Sequence, residues 1–369
     1  MRDPRLEHLA KTLLNYSVEA KKGEVVSIQG PLDTKPLMLE LVKEINRIGA
    51  IPRVSIIDPD ISRLNMLGMD DARLAKNVTW STDIYSDSEC SIRIGASNND
   101  YSSVDVPQET LTRFSKAMRP VQDIMLHKKW VLLNYPTPAQ AQKAKMNNED
   151  FFDYVIDVSA VDYSRMNNAF EPLKTLMEKT DKVQLIGPGT DLTFRIKGIS
   201  AIPCAGEFNI PDGEIFTAPI KDSVNGTIQY NTPSPQRGDV YNNVKLTFKD
   251  GKIIEATCDG DNEKLNQIFD TDEGARYIGE FAIGVNPLIT KPMGNILFDE
   301  KISGSIHFTP GMCYDEASNG NVSALHWDLV WIQTPEFGGG EIYFDDILIR
   351  KDGLFVIPEL LGLNPENLK

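Results

Sequence analysis

The feature that most constrains this chain is a change of hydrophobic rhythm near residue 180. Ahead of that point, apolar stripes at helical spacing alternate with short apolar runs. Leu6, Leu9, Leu13 and Leu14 mark one helical face, and residues 25–28, just before Gly30 and Pro31, read as a short buried strand. Leu37, Leu41, Val42, Ile45 and Ile48 predict a second helix closed by Gly49, followed by a strand over 51–57. Further strands are expected at 90–94 and 130–133 with a helix over 108–127, and residues 139–180 are helix-rich. Alternation of this kind implies a largely parallel sheet covered by helices, because a parallel pair needs a crossover and a helix is the usual one.

From about residue 183 the pattern is of strands separated by glycine and aspartate. VKLTFKDGKIIEATC carries an Asp250-Gly251 hairpin turn, and ILIRKDGLFV repeats it at Asp352-Gly353. The expectation is an α/β domain over 1–180 and a β-rich α+β domain over 181–369, which suits a length of 369 residues. An apolar fraction of 41% with 25% charged residues belongs to a globular chain, and a net charge of −15 argues against a nucleic-acid partner or an anionic membrane surface. No run of eighteen apolar residues occurs and the opening MRDPRLEHLAK lacks the apolar core of a signal peptide, so a cytoplasmic location is expected. Cys90, Cys204, Cys258 and Cys313 are scattered without C-x-x-C spacing, which suggests neither a thiolate zinc site nor a disulfide framework.

Some familiar signals fail on inspection. Gly187-Pro188-Gly189 is followed by Leu192 where a dinucleotide fingerprint wants glycine, so it reads as a turn between strands. The glycines at 338–340 lack the Lys and Ser/Thr of a phosphate loop, and no G-x-S-x-G elbow exists to support a serine hydrolase.

The chemistry concentrates in NVSALHWDLV at 321–330. There His326 and Asp328 lie two apart in an alternating stretch, so in a strand they project from one face; on a helix they would diverge by about 200°. His307 lies on another alternating stretch upstream, with Ser303 and Ser305 on its face and Ile302, Ile306 and Phe308 on the other. Imidazole nitrogen with carboxylate oxygen is the donor set of divalent zinc, cobalt, manganese or iron. Two glutamates in apolar, glycine-marked settings, Glu214 in PDGEIFTAP and Glu280 in RYIGEFAIGVNP, are further candidates, since a buried carboxylate needs a cation. Exposure on a strand, or an ion pair with Arg276, explains those glutamates equally well. With them the set would comprise five donors, enough for two bridged divalent ions. A mononuclear Fe(II) oxygenase triad and a non-catalytic, metal-containing peptide-binding protein remain open beside the hydrolase reading.

Taken in order, GEIFTAP, ARYIGEFAIGVNP, FDEKISGSIHFTPGMCY and NVSALHWDLV resemble the thermophilic aminopeptidase family of metallopeptidases, known as aminopeptidase T or family M29. GPGTDL at 187–192 fits as well, and KGEVVSIQGP and KWVLLNYPTPAQAQ match more weakly in the first half. The resemblance implies an enzyme that releases N-terminal residues from peptides by a water activated between two divalent ions (zinc, cobalt or manganese). It places the metal ligands on Glu214, Glu280, His307, His326 and Asp328. It gives Tyr314 the role of hydrogen-bonding the tetrahedral intermediate, and it implies a homodimer acting on peptides with a free N-terminus. In the mechanism that follows, one of the carboxylates, Glu214 or Glu280 before Asp328, is expected to carry the proton. The chain departs from the family pattern at Pro310 and Met312, where small residues are common, a difference that bears on substrate preference rather than on the metal positions.

Overall fold

The computed structural model describes residues 3–369 and resolves two compact units, Met1–Ala160 with Gly206–Ile210, and Val161–Ala205 with Pro211–Lys369. In the first unit five parallel strands run in the order Ile51–Ile57, Val25–Pro31, Cys90–Gly95, Lys129–Asn134, Asn209–Ile210. Helices connect the first four, as the alternation predicts. Lys35–Ile48 ends where Gly49 takes φ 77°, a left-handed cap that favours glycine, and Gln108–Leu126 falls on the predicted segment. The aspartates at 58 and 70 and Asn147 each cap a helix by accepting a backbone N–H.

The change of composition near 180 falls at the end of the helix Tyr163–Lys179, some way past the edge of the first unit. That helix belongs to the second unit because its apolar face (Tyr163, Met166, Phe170, Leu173, Met177) is buried there, against Ile202–Cys204 and the turn Pro358–Leu363. Sequence rhythm registers the switch from helix to strand, while the unit boundary follows where the helix buries its stripe.

The second unit holds two antiparallel sheets. In the larger, Asp250 and Gly251 (φ 49° and 81°) and Asp352 and Gly353 (φ 50° and 83°) make the expected tight turns. The smaller runs Val330–Ile332, Ser305–Pro310, Ile278–Gly284, Glu214–Thr217, Ile202–Cys204. Its register pairs Glu280 with Thr309, Ala282 with both His307 and Phe216, and Gly284 with Glu214. Residues paired across strands share a face, so Glu214, Glu280, His307 and Thr309 come to one side. Phe281 and Phe308 come to the other, where both rings lie 5.0 Å from that of Phe194 in a buried aromatic core. Every residue of Ile278–Gly284 is buried, since both faces are covered.

Gly279 interrupts the register at the start of that strand, and a Cβ there would meet the backbone oxygen of Met312 at 2.1 Å. Only glycine allows the 311–312 backbone to approach so closely. Residues 321–329, expected as a strand, form none: His326 makes an isolated antiparallel bridge to Gly311, and the regular ladder begins only at Val330. Upstream, the backbone amides of Phe308, Met312 and Trp327 reach across it, to Leu329, Leu325 and Pro310. Asn321 and Asp272 tie down its start: the Asn321 amide donates to the carbonyls of Gly274 and Gly311, and Asp272 accepts from Ser323 Oγ and Ala324 N. Burial still alternates along the segment, so His326 and Asp328 share a side as their spacing predicts. No helix of the described residues is long and apolar enough to cross a membrane.

Candidate metal centre

Five residues from four segments meet over the face of the smaller sheet. Nε2 of His307 lies 3.1 Å from Oε1 of Glu280 and 3.4 Å from Oε2 of Glu214. Nε2 of His326 lies 3.4 Å from Oε2 of Glu280 and 3.3 Å from Oδ1 of Asp328. Two donor triads result, Glu214–Glu280–His307 and Glu280–His326–Asp328, and Glu280 turns one oxygen to each.

The residues fit divalent cations on three counts. Both histidines face the cluster through Nε2 while Nδ1 meets a backbone carbonyl, Glu300 O at 3.3 Å for His307 and Met312 O at 2.9 Å for His326. That partner fixes the tautomer and the ring, as in metal-binding histidines generally. Oε2 of Glu214 is buried with no hydrogen-bond partner, an expensive state for a carboxylate oxygen unless a cation meets it. Finally, three carboxylates and two imidazoles form the donor set of a borderline metal.

The electrostatics agree. Burial opposes charge on His307 and His326, yet the facing carboxylates outweigh it and hold both pKa values up at about 10. Burial raises Glu214 and Glu280, with the neighbouring cationic groups only partly offsetting it. Asp328 is held low despite its burial, by His326 first and then by His307 and Thr309. Without an ion the cluster thus retains protons, and a bound cation would displace them.

Tyr314 stands at the rim, half exposed, its ring 5.0 Å from that of His326 and 5.4 Å from that of Phe216. Burial and the surrounding carboxylates push its hydroxyl pKa up, so it stays a hydrogen-bond donor at neutral pH. Arg276, the alternative partner considered for the glutamates, instead pairs with Asp270 at 2.7 Å. Cys313 donates its thiol to Asn321 O at 3.2 Å and serves the loop rather than the cluster.

Three contributors carried no sequence signal strong enough to be found. Lys301 is wholly buried and pairs with Glu300 and with Oε1 of Glu214 at 3.1 Å. Thr309 donates to Oδ1 of Asp328 at 2.7 Å. The rule that a buried carboxylate needs a cation was available, but nothing in the sequence says which cation answers a glutamate 87 positions away. Replacing Thr309 with Val removes the bond that orients Asp328 and should weaken divalent-ion binding at that triad by about tenfold, read by Co²⁺ titration of chelator-stripped protein. Unchanged affinity would show that Asp328 needs no such support.

An α/β unit and a β-rich unit whose sheet gathers histidines and carboxylates on one buried face define a protein built around divalent metal. The chain belongs to the thermophilic metalloprotease family M29, whose model matches residues 2–337. It is 30% identical over 216 residues to Aminopeptidase 2 of Geobacillus stearothermophilus, a match covering 50% of this chain and 51% of that protein. The chain thus spans about half the length of that relative. It is 24% identical over 356 residues to Aminopeptidase T of Thermus thermophilus, covering 86% and 87% of the two. Among solved structures, wild-type AmpT from Thermus thermophilus superposes with a TM-score of 0.78 at 22% identity, over 96% of this chain and 99% of that one, and so shares its fold.

Proposed function

We propose that the chain is an aminopeptidase that uses two divalent ions, one held by Glu214, Glu280 and His307 and the other by Glu280, His326 and Asp328. The observation that carries this reading is the placement of Glu280, whose two oxygens face two different histidines. A carboxylate shared in that way suits a pair of neighbouring cations. Zinc, cobalt or manganese is the expected metal from the donor types. Bound there, the ions supply Lewis-acid polarisation of a carbonyl and acidify water. One of the carboxylates, Glu214 or Glu280 before Asp328, would take a proton and return it to the leaving amine. The Tyr314 hydroxyl would donate to the oxygen that gains charge in the transition state. A free α-amine of the substrate would serve as a nitrogen ligand to one of the ions, which favours release of the N-terminal residue over internal cleavage. The same reading takes the protein as a cytoplasmic homodimer acting on peptides.

A mononuclear iron oxygenase would use His307, His326 and Asp328 and leave Glu214 and Glu280 without work, although both lie within the cluster. A non-catalytic, metal-containing peptide-binding protein would hold the ions and release nothing.

The test compares a peptide with its N-acetylated twin. The free peptide should be shortened one residue at a time from its N-terminus, with loss of activity in chelator and recovery on adding Co²⁺ or Zn²⁺. The blocked twin should survive. Internal cleavage of the blocked peptide would remove the amine from the mechanism, and binding without cleavage of either would favour the non-catalytic reading.

A further inference from the structure

Lys301 is wholly buried, and its ammonium lies between the carboxylates of Glu300 and Glu214. The pairing is one-sided with respect to the metal centre. Glu214 belongs to one donor triad only, while among the described residues the ion pairs of Glu280 and Asp328 are with histidines. Oε1 of Glu214 is engaged by Lys301, and Oε2 is left facing His307.

Resting on the two-metal reading above, we propose that Lys301 makes the two metal positions unequal: it restricts Glu214 to Oε2 and leaves the Glu214–Glu280–His307 triad the weaker, more exchangeable site. Two physical effects act in the same direction. A fixed ammonium repels a dication, and this repulsion falls with distance, so the triad containing its own partner feels it most. Holding Oε1 also denies that triad a second bond from the same carboxylate. Lys301 thus acts through Glu214 as a positioning residue. Ions load in sequence, the Glu280–His326–Asp328 triad first.

Chelator-stripped full-length protein titrated with Co²⁺, followed by calorimetry and by visible d–d absorption, tests this without any activity assay. The wild type should bind in two steps whose dissociation constants differ by about tenfold or more. Glu214→Gln should lose the weak step and keep the tight one. Lys301→Met should tighten the weak step by about tenfold, and Lys301→Arg, which keeps the charge, should not. Glu300→Gln leaves the ammonium less neutralised and should weaken that step further, which keeps the idea testable should Lys301→Met fail to fold. Two equal steps in the wild type, loss of the tight step in Glu214→Gln, or a Lys301→Met weak step that is no tighter would overturn the proposal. A wild type that takes up one ion or none would instead overturn the two-metal reading beneath it.

Discussion

Replacing Glu280 with alanine should empty both metal positions together and lower peptidase activity by about 10³-fold or more, since several kcal/mol of transition-state stabilisation is at stake. Glu280 is the one residue common to both triads, with its oxygens 3.1 Å from His307 and 3.4 Å from His326. Asp328→Ala and His326→Ala each damage a single triad, so elemental analysis should separate them: near-complete loss of metal for Glu280→Ala, and loss of about half for either of the others. The fold should persist, because the aromatic core of Phe194, Phe281 and Phe308 lies on the opposite face of the sheet. Unfolding midpoints of the stripped proteins are the control. Metal content in Glu280→Ala equal to that of Asp328→Ala would mean that Glu280 does not serve both positions.

Tyr314→Phe should lower kcat by about 10²-fold with little change in KM or in bound metal, the pattern of a group that acts only on the transition state. The substitution keeps the ring that packs beside His326 and Phe216 and deletes the hydroxyl alone. A structural role would show instead as lost metal or lost stability. An unaffected kcat would remove Tyr314 from the mechanism.

Much of the site was legible before any coordinates because its residues obey a local rule. His326 and Asp328 are two apart in a segment whose burial alternates residue by residue, and that spacing puts them on one side. Glu214 and Glu280 stood out as carboxylates in apolar settings, and both are buried. The hairpins at Asp250-Gly251 and Asp352-Gly353 were readable because positive φ at both positions selects those residues. Glu300, Lys301 and Thr309 were not legible. Their importance depends on what stands across from them, and Lys301 meets Glu214 only because the turn after the helix Ile296–Asp299 comes against the strand Glu214–Thr217, 87 positions away in sequence.

The sequence by itself determined the α/β and β-rich halves, the turn positions and the residue types from which a metal centre could be made, because backbone periodicity and donor chemistry are local properties. Only the tertiary structure decided that the helix Tyr163–Lys179 belongs to the second unit, and that Glu280 rather than Glu214 faces both histidines. It likewise decided that Lys301 rather than Arg276 is the cation beside Glu214. Each of those outcomes is set by strand register and by the burial of a shared face, and these are relations between distant segments that no window of sequence contains.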